Sequence, residues 1–273
     1  MDDWKQITAR RLSMCEVCSK EIEKGQPLVW SRVKSAVRCI GCQNISIEKK
    51  PVKRINRIVG DAGASAKRQY KTRSAKDSSK VEFLHPRLAK LLRVDNVDSQ
   101  TTKNWAKGAV GEEKVGNFLS KFIKKNGGIL LNDRQVPGTK KNLDHILITE
   151  NAVFVIDAKN WSGTISVKSV ARNSEVVEIL YLNSYNQTKT VEKMKDQVEV
   201  VKQALKAGGF KVEAIGYLIF YGVDWPKKGI PTQVDGVLIN GKNSSGVILG
   251  IKSEKKVDVA AIGTYLEKYF PPR

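Results

Sequence analysis

The chain has little that would place it in a membrane or outside the cell. It contains no run of about 18 apolar residues, the length a spanning helix needs. Its N-terminus, M-D-D-W-K-Q, lacks the apolar stretch of a secretory signal. The expectation is a soluble, cytoplasmic protein with no membrane partner. Acid is scarce too: 28 Asp and Glu stand against 48 Lys and Arg, a formal net charge of +20. An excess of that size calls for a polyanionic partner, nucleic acid before an anionic membrane surface. No aromatic stacking platform or recognition helix is evident, so weak sequence specificity is expected of any such contact. At 273 residues the chain can bury a proper core, as one large domain or as a medium one plus a small module.

Cysteine is limited to four residues, spaced as Cys15-x-x-Cys18 and Cys39-x-x-Cys42 with twenty residues between the pairs. Two such knuckles suit tetrahedral thiolate coordination of Zn²⁺, each supplying two neighbouring ligands while the intervening hairpin, turning at Gly25 to Pro27, brings the chain back. The segment is too short to fold on its own core, so a metal would supply the folding energy. Four thiolates leave no open coordination position, which makes the site structural. A disulfide framework is the alternative, disfavoured in a chain without a secretion signal. Residues 1–45 are read as a zinc-ribbon-like module.

Residues 46–100 read as a basic linker. Up to about Lys80, cations mix with Ser, Gly and Ala, opposed only by Glu48, Asp61 and Asp77. Such a segment either tracks phosphates or is a solvated spacer. A short helix is expected to start at Pro86.

The densest signal lies between Asn142 and Gly163, N-L-D-H-I-L-I-T-E-N-A-V-F-V-I-D-A-K-N-W-S-G. Two β-prone runs flank Glu150-Asn151, the pattern of a tight hairpin. A two-residue turn there pairs Thr149 with Ala152 and carries Asp144 opposite Asp157. Facing Cβ atoms lie about 4.5–5.5 Å apart, so two ionised carboxylates would repel unless a cation intervenes. Lys159 projects from the same face as Asp157, since side chains alternate along a strand. The surrounding positions are apolar on both faces, marking central, covered strands. A structural Asp–Lys pair is one reading; a functional cluster is the other.

Upstream, Trp105 to Lys124 reads as a helix with Gly108, Glu112, Val115, Leu119 and Phe122 on its core stripe. Glu112 on an apolar face needs a partner, which the Asp–Asp–Lys cluster offers; a helix N-terminal Glu favoured by the dipole is the alternative. Ile129 to Val136 gives a first strand, and 164–170 with 175–182 a more exposed hairpin after Gly163. Thr188 to Leu205 is helical, with Gln197 on its apolar face between Met194 and Val201. A strand at 213–221, short strands at 234–240 and 246–251, and a closing helix at 257–270 complete an α/β arrangement with a mixed sheet.

A helix Glu, an Asp opening the second strand, Asp-x-Lys ending the third and a Gln on the next helix together resemble the restriction-endonuclease-like, PD-(D/E)XK phosphodiesterase superfamily. More narrowly, G-x-x-G-E at 108–112, L-D-H at 143–145 and I-D-A-K-N-W-S-G at 156–163 resemble the nuclease-related domain, NERD. The similarity covers about Trp105 to Tyr221. It implies an αβββαβ core with a mixed sheet flanked by helices, here within 101–273. It also implies an active-site set of Glu112, Asp144, Asp157, Lys159 and Gln197. Asp157 is a departure, since the superfamily more often has Glu there. The implied activity is a nuclease acting on DNA more readily than RNA, with Glu112, Asp144 and Asp157 around Mg²⁺ or Mn²⁺ and Lys159 assisting the attacking water. A non-catalytic nucleic-acid-binding or interaction protein with a nuclease-like core, zinc module and basic linker is the alternative. A zinc-stabilised protein-interaction module is a third.

Overall fold

The computed structural model describes residues 4–15, 17, 18, 20–32, 36–43, 55–84, 98–172, 175–226, 233–241, 244–251, 253 and 257–273. The chain forms two compact units, residues 1–53 and 54–273.

In the first unit, β1 (Lys5–Thr8), β4 (Pro27–Ser31) and β5 (Ala36–Cys39) make a three-stranded antiparallel sheet, and β2 (Ser13–Met14) pairs with β3 (Glu21–Ile22). Gly25, with φ at +93°, makes the turn before β4. Among the described residues its core is Ala9, Ile22 and Leu28 with Cys15 and Cys42, against which Val17, Trp30, Val37 and Cys39 pack, so the cysteines are part of the packing.

The second unit is a mixed α/β layer structure. Its elements run β6 (Asn56–Val59), α1 (Ala64–Leu84), α2 (Gln100–Asn126), β7 (Gly128–Gln135), β8 (Asn142–Ile148), β9 (Val153–Arg172), β10 (Glu175–Leu182), β11 (Tyr185–Asn186), α3 (Thr188–Ala207), β12 (Ala214–Asp224), β13 (Gln233–Val234), β14 (Val237–Asn240), α4 (Ser245–Gly250) and α5 (Val259–Tyr269). The sheet order is β13-β14-β12-β9-β8-β7-β6, with β10 and β11 attached through β9. Strand β8 runs antiparallel to both of its neighbours, β7 and β9, whereas β9–β12, β12–β14 and β6–β7 are parallel. From α2 to β12 the order is helix, the three sheet strands β7 to β9 with β10 and β11 attached to the last, helix, strand, which contains the expected αβββαβ order.

The central strands are covered on both faces, which is why they read as continuous apolar runs. One face packs Leu130, Leu147, Phe154 and Ile156 against Val115, Leu119, Phe122 and Ile123 of α2. The other packs Ile146, Ile148, Val153 and Val155 against Val191, Met194, Val198 and Val201 of α3, with Ile262 and Leu266 of α5 closing its end. Gly127 caps α2 with φ at +86°, and Asp258 caps α5 by accepting from the Ala261 amide at 3.0 Å. No helix among the described residues is long and apolar enough to cross a membrane.

Four expectations need correcting. The stretch read as linker supplies β6 and α1. β6 pairs with β7, and α1 is held by polar ties instead of an apolar stripe: Asp133 accepts from the Ser65 amide at 2.6 Å, Lys67 meets Glu113 at 2.9 Å, and Asp77 accepts from Thr102 at 2.6 Å. The strand expected at 246–251 is α4, a short apolar run whose Ile248 buries in the α2-facing core. The run 234–240 is a hairpin turning at Asp235-Gly236, both with positive φ. Gly163 does not end a strand; β9 continues to Arg172 as one 20-residue strand. The helix expected from Pro86 lies outside the described residues.

Candidate functional site

The β8–β9 register matches the hairpin arithmetic: His145 faces Ile156, Ile146 faces Val155, Leu147 faces Phe154 and Ile148 faces Val153. The Thr149 amide donates to the Ala152 carbonyl at 3.0 Å across the turn. One step past the last pair, Asp144 meets β9 directly. Its Oδ2 accepts from the Ala158 amide at 3.2 Å, which sets its carboxyl beside Asp157.

Glu112 is brought in by glycine. A Cβ on Gly111 would stand 2.7 Å from the Asn160 Cβ, so only glycine lets α2 approach β9 this closely. Asn160 Nδ2 then donates to the Lys107 carbonyl at 2.8 Å, and Lys107 Nζ donates to Ser162 Oγ at 2.8 Å. Trp161 packs on Phe220 at 5.3 Å between ring centroids. The run from Ile156 to Gly163 thus places Asp157 and Lys159 with alternate residues and fastens α2 with the others.

Glu112, Asp144, Asp157 and Lys159 share one buried electrostatic environment. Lys159 Nζ donates to both oxygens of Asp157, at 2.6 and 2.5 Å. Burial alone would lower the lysine, but Asp157, Asp144 and Glu112 together hold it above its ordinary range, so it is an ammonium. The other two carboxyls are under-compensated. Burial first, then Asp133 and Asp157, push Glu112 up to about 7, and its Oε2 has no hydrogen-bond partner among the described residues. Burial first, then Glu112 and Asp157, raise Asp144 well above the carboxylate range. Three acids facing one ammonium leave room for further positive charge, and oxygen donors suit a hard divalent cation. The donor set therefore fits such an ion in chemistry. The acid oxygens are not drawn together as the cysteine sulfurs are: among the described residues only the four cysteines gather ligand atoms within 4.8 Å of one another.

Gln197 stands apart. It lies half-buried on α3 between Met194 and Val198, its Oε1 has no partner among the described residues, and no described hydrogen bond joins it to the four charged residues.

Sequence reading gave no role to three residues around the cluster. His145 is fully buried, its Nδ1 is 2.8 Å from Asn132 Oδ1, and burial lowers it to about 4, so its ring is neutral. Asn132 Nδ2 donates to the Gly60 carbonyl at 3.0 Å, which fixes Oδ1 as the acceptor and puts the histidine proton on Nδ1. Asp133, at φ +50°, accepts from Ser65 and Asn142 and adds to the negative field on Glu112. The signal available for Asn132 and Asp133 was the polar pair interrupting I-L-L-N-D-R in the first strand.

In the first unit, the Cys18 and Cys39 sulfurs are 3.8 Å apart. That is the edge of a tetrahedron with bonds of about 2.3 Å, the length of a zinc–thiolate bond. Burial would raise the Cys15 thiol, but the amides of Cys18, Cys39 and Val17 outweigh it and bring it to about 6, while sharing with Cys39 first pushes Cys42 up to about 12. Sulfurs this close share protons where a cation would bind them all, so the residues fit zinc.

The second unit is thus a mixed α/β domain with a buried carboxylate–lysine cluster where α2 meets β8 and β9. Residues 107–221, less than half of the chain, match the nuclease-related domain, NERD, and contain every member of that cluster. An uncharacterized protein of Bacillus anthracis is 35% identical over 80 residues, which is 29% of this chain and 37% of that protein. The chain thus spans little more than a third of the length of that relative. No solved structure matches the chain.

Proposed function

We propose that the chain is a metal-dependent nuclease that hydrolyses phosphodiester bonds, in DNA more readily than in RNA. Glu112, Asp144 and Asp157 would hold a divalent cation, Mg²⁺ or Mn²⁺, and the four cysteines a structural Zn²⁺. The observation that carries this reading is the uncompensated charge: three carboxyls, Asp157 buried and Glu112 and Asp144 half-buried, share one ammonium, and both Glu112 and Asp144 favour a proton where a cation could sit. A bound divalent ion would supply polarisation of the phosphate and a more acidic water.

The remaining roles belong to side chains of this chain. Lys159 stays an ammonium, so it acts as a hydrogen-bond donor that orients the attacking water and offsets charge growing on phosphate, not as a base. The Ala158 amide keeps the Asp144 carboxyl oriented. Gln197, with its unpartnered Oε1, would position the lysine or the water.

The test is cleavage of supercoiled and single-stranded DNA with Mg²⁺ or Mn²⁺, against chelator and against Lys159→Ala. Loss in both controls supports the reading. Undiminished cleavage by the Asp157→Ala, Lys159→Ala double variant refutes it. A second reading, a nucleic-acid-binding protein that does not cut, is favoured by one observation: Lys159 engages both oxygens of Asp157, as a structural ion pair would. It requires no cleavage under any condition, with DNA binding that weakens steeply in salt.

A further inference from the structure

The strand–loop–helix of 56–84 lies outside the segment that matches the nuclease-related domain, yet it packs against the helix that carries Glu112. Gly63, at φ +73°, leaves so little room that a Cβ there would sit 2.9 Å from the Ala109 carbonyl oxygen and 3.4 Å from the Glu112 Cβ. On the next turn of α2, Gly116 makes space for Ala62. The α1 N-terminus itself is closed by the buried Asp133 carboxylate, so its free amides are not the feature of interest.

The side chains on its outer face are. The exposed described positions of α1 are Lys67, Arg68, Lys71, Thr72, Ala75, Lys76 and Ser79, four cations and no acid. Asp77 turns inward, where it caps α2. Between α1 and the core lies a cavity of about 490 Å³, with Lys67, Arg68 and Lys71 on one wall and Asn117, Ser120 and Asn132 on the other. Of the two acids that also line it, Asp61 and Glu113, the second pairs with Lys67 at 2.9 Å, and Arg68 lies 3.8 Å from the Asp133 carboxylate, so Lys71 and Lys76 are the cations of this face with no acidic partner among the described residues. From Lys67 to Lys76 the helix advances about 13 Å, the axial length of roughly four nucleotides.

We infer that the outer face of α1 and the cavity behind it form a phosphate-binding wall that grips a nucleic-acid strand beside the carboxylate cluster. Its task of feeding a strand to that cluster rests on the nuclease reading; the phosphate contact itself does not. A lipid surface fits less well, because the other exposed described positions of α1 are Thr72, Ala75 and Ser79, none of them large and apolar enough to enter a bilayer.

The experiment uses the full chain and compares Lys71→Glu, Lys76→Glu with a control of equal charge change on exposed positions of α3, Lys189→Glu, Lys193→Glu. Anisotropy of a labelled oligonucleotide in Mg²⁺-free buffer, read across a salt series, should show the α1 variant bound about tenfold or more weaker, with its log–log salt slope reduced by about 2. The control should bind within about twofold of the parent, and both variants should match its circular dichroism. An unchanged slope in the α1 variant, or equal loss in both variants, overturns the inference. Loss of binding to phosphatidylserine vesicles with DNA binding intact overturns it in favour of a membrane. If no protein cuts DNA, the parent included, while the slope still falls only in the α1 variant, the wall stands and the nuclease reading fails. If the parent cuts and the α1 variant shows raised KM at unchanged kcat, both stand.

Discussion

The charge imbalance at Glu112 predicts that this acid weakens its own fold when no cation is bound. Burial and the neighbouring carboxylates raise it from an ordinary 4.5 to about 7. The folded chain therefore holds a proton more tightly than the unfolded chain, the reverse of a salt-bridged acid, and stability rises as pH falls from about 7 towards 4.5. A shift of that size corresponds to as much as about 3 kcal/mol, at about 1.4 kcal/mol per unit. Glu112→Gln keeps the shape and removes the charge. In magnesium-free buffer at pH 8 the variant should be the more stable protein by up to about 3 kcal/mol, and near pH 4.5 the two should converge. Urea unfolding followed by circular dichroism, at intervals from pH 4.5 to 8.5 and without chelator so that any cysteine-bound metal is kept, measures the difference. Parallel stability curves across that range, or a variant less stable at pH 8, would refute the argument that desolvation and like charge dominate at this carboxyl.

Lys159→Met strips Asp157 of its ammonium while leaving it only 6% exposed, and should cost about 3 kcal/mol in urea unfolding; an unchanged midpoint would refute the cost of the unpaired charge. Gly116→Ala puts a methyl 2.3 Å from the Ala62 Cβ, with the His145 ring 3.4 Å away, and should destabilise by about 1–3 kcal/mol through overpacking; no change in midpoint would mean that this interface yields freely. The four cysteines should carry about one zinc per chain by elemental analysis. Removing it should unfold residues 1–53 and leave the hydrogen-exchange protection of β8 and β9 unaltered, since the two units have separate cores.

The hairpin and its carboxylates were legible because two-residue turns and strand alternation are rigid rules. Once Glu150-Asn151 is the turn, the pairing of β8 with β9 follows by counting. Helices α2, α3 and α5 were legible because each buries one continuous stripe. α1 was not, since its contacts are side-chain hydrogen bonds, ion pairs and small residues such as Ala66, and its partner residues lie dozens of positions away. Asp133 illustrates the same limit. Its left-handed backbone and its bonds to Ser65 and Asn142 depend on three segments meeting, which no local pattern encodes. The α4 segment, S-G-V-I-L-G, carries too few turns to declare a period, so the core decided its form.

Strand β6 has a practical consequence for anyone isolating the nuclease-related part. A fragment begun at residue 101 or 107 would lose β6 and turn β7, now an interior strand, into an open border with Ile129, Leu130 and Leu131 along it. Exposed apolar strand edges recruit other chains, and such a fragment would precipitate or swap strands for reasons unrelated to its chemistry. The smallest soluble piece that keeps the cluster intact has to begin upstream of Asn56, so the boundary drawn by family likeness and the boundary drawn by hydrogen bonding are some fifty residues apart.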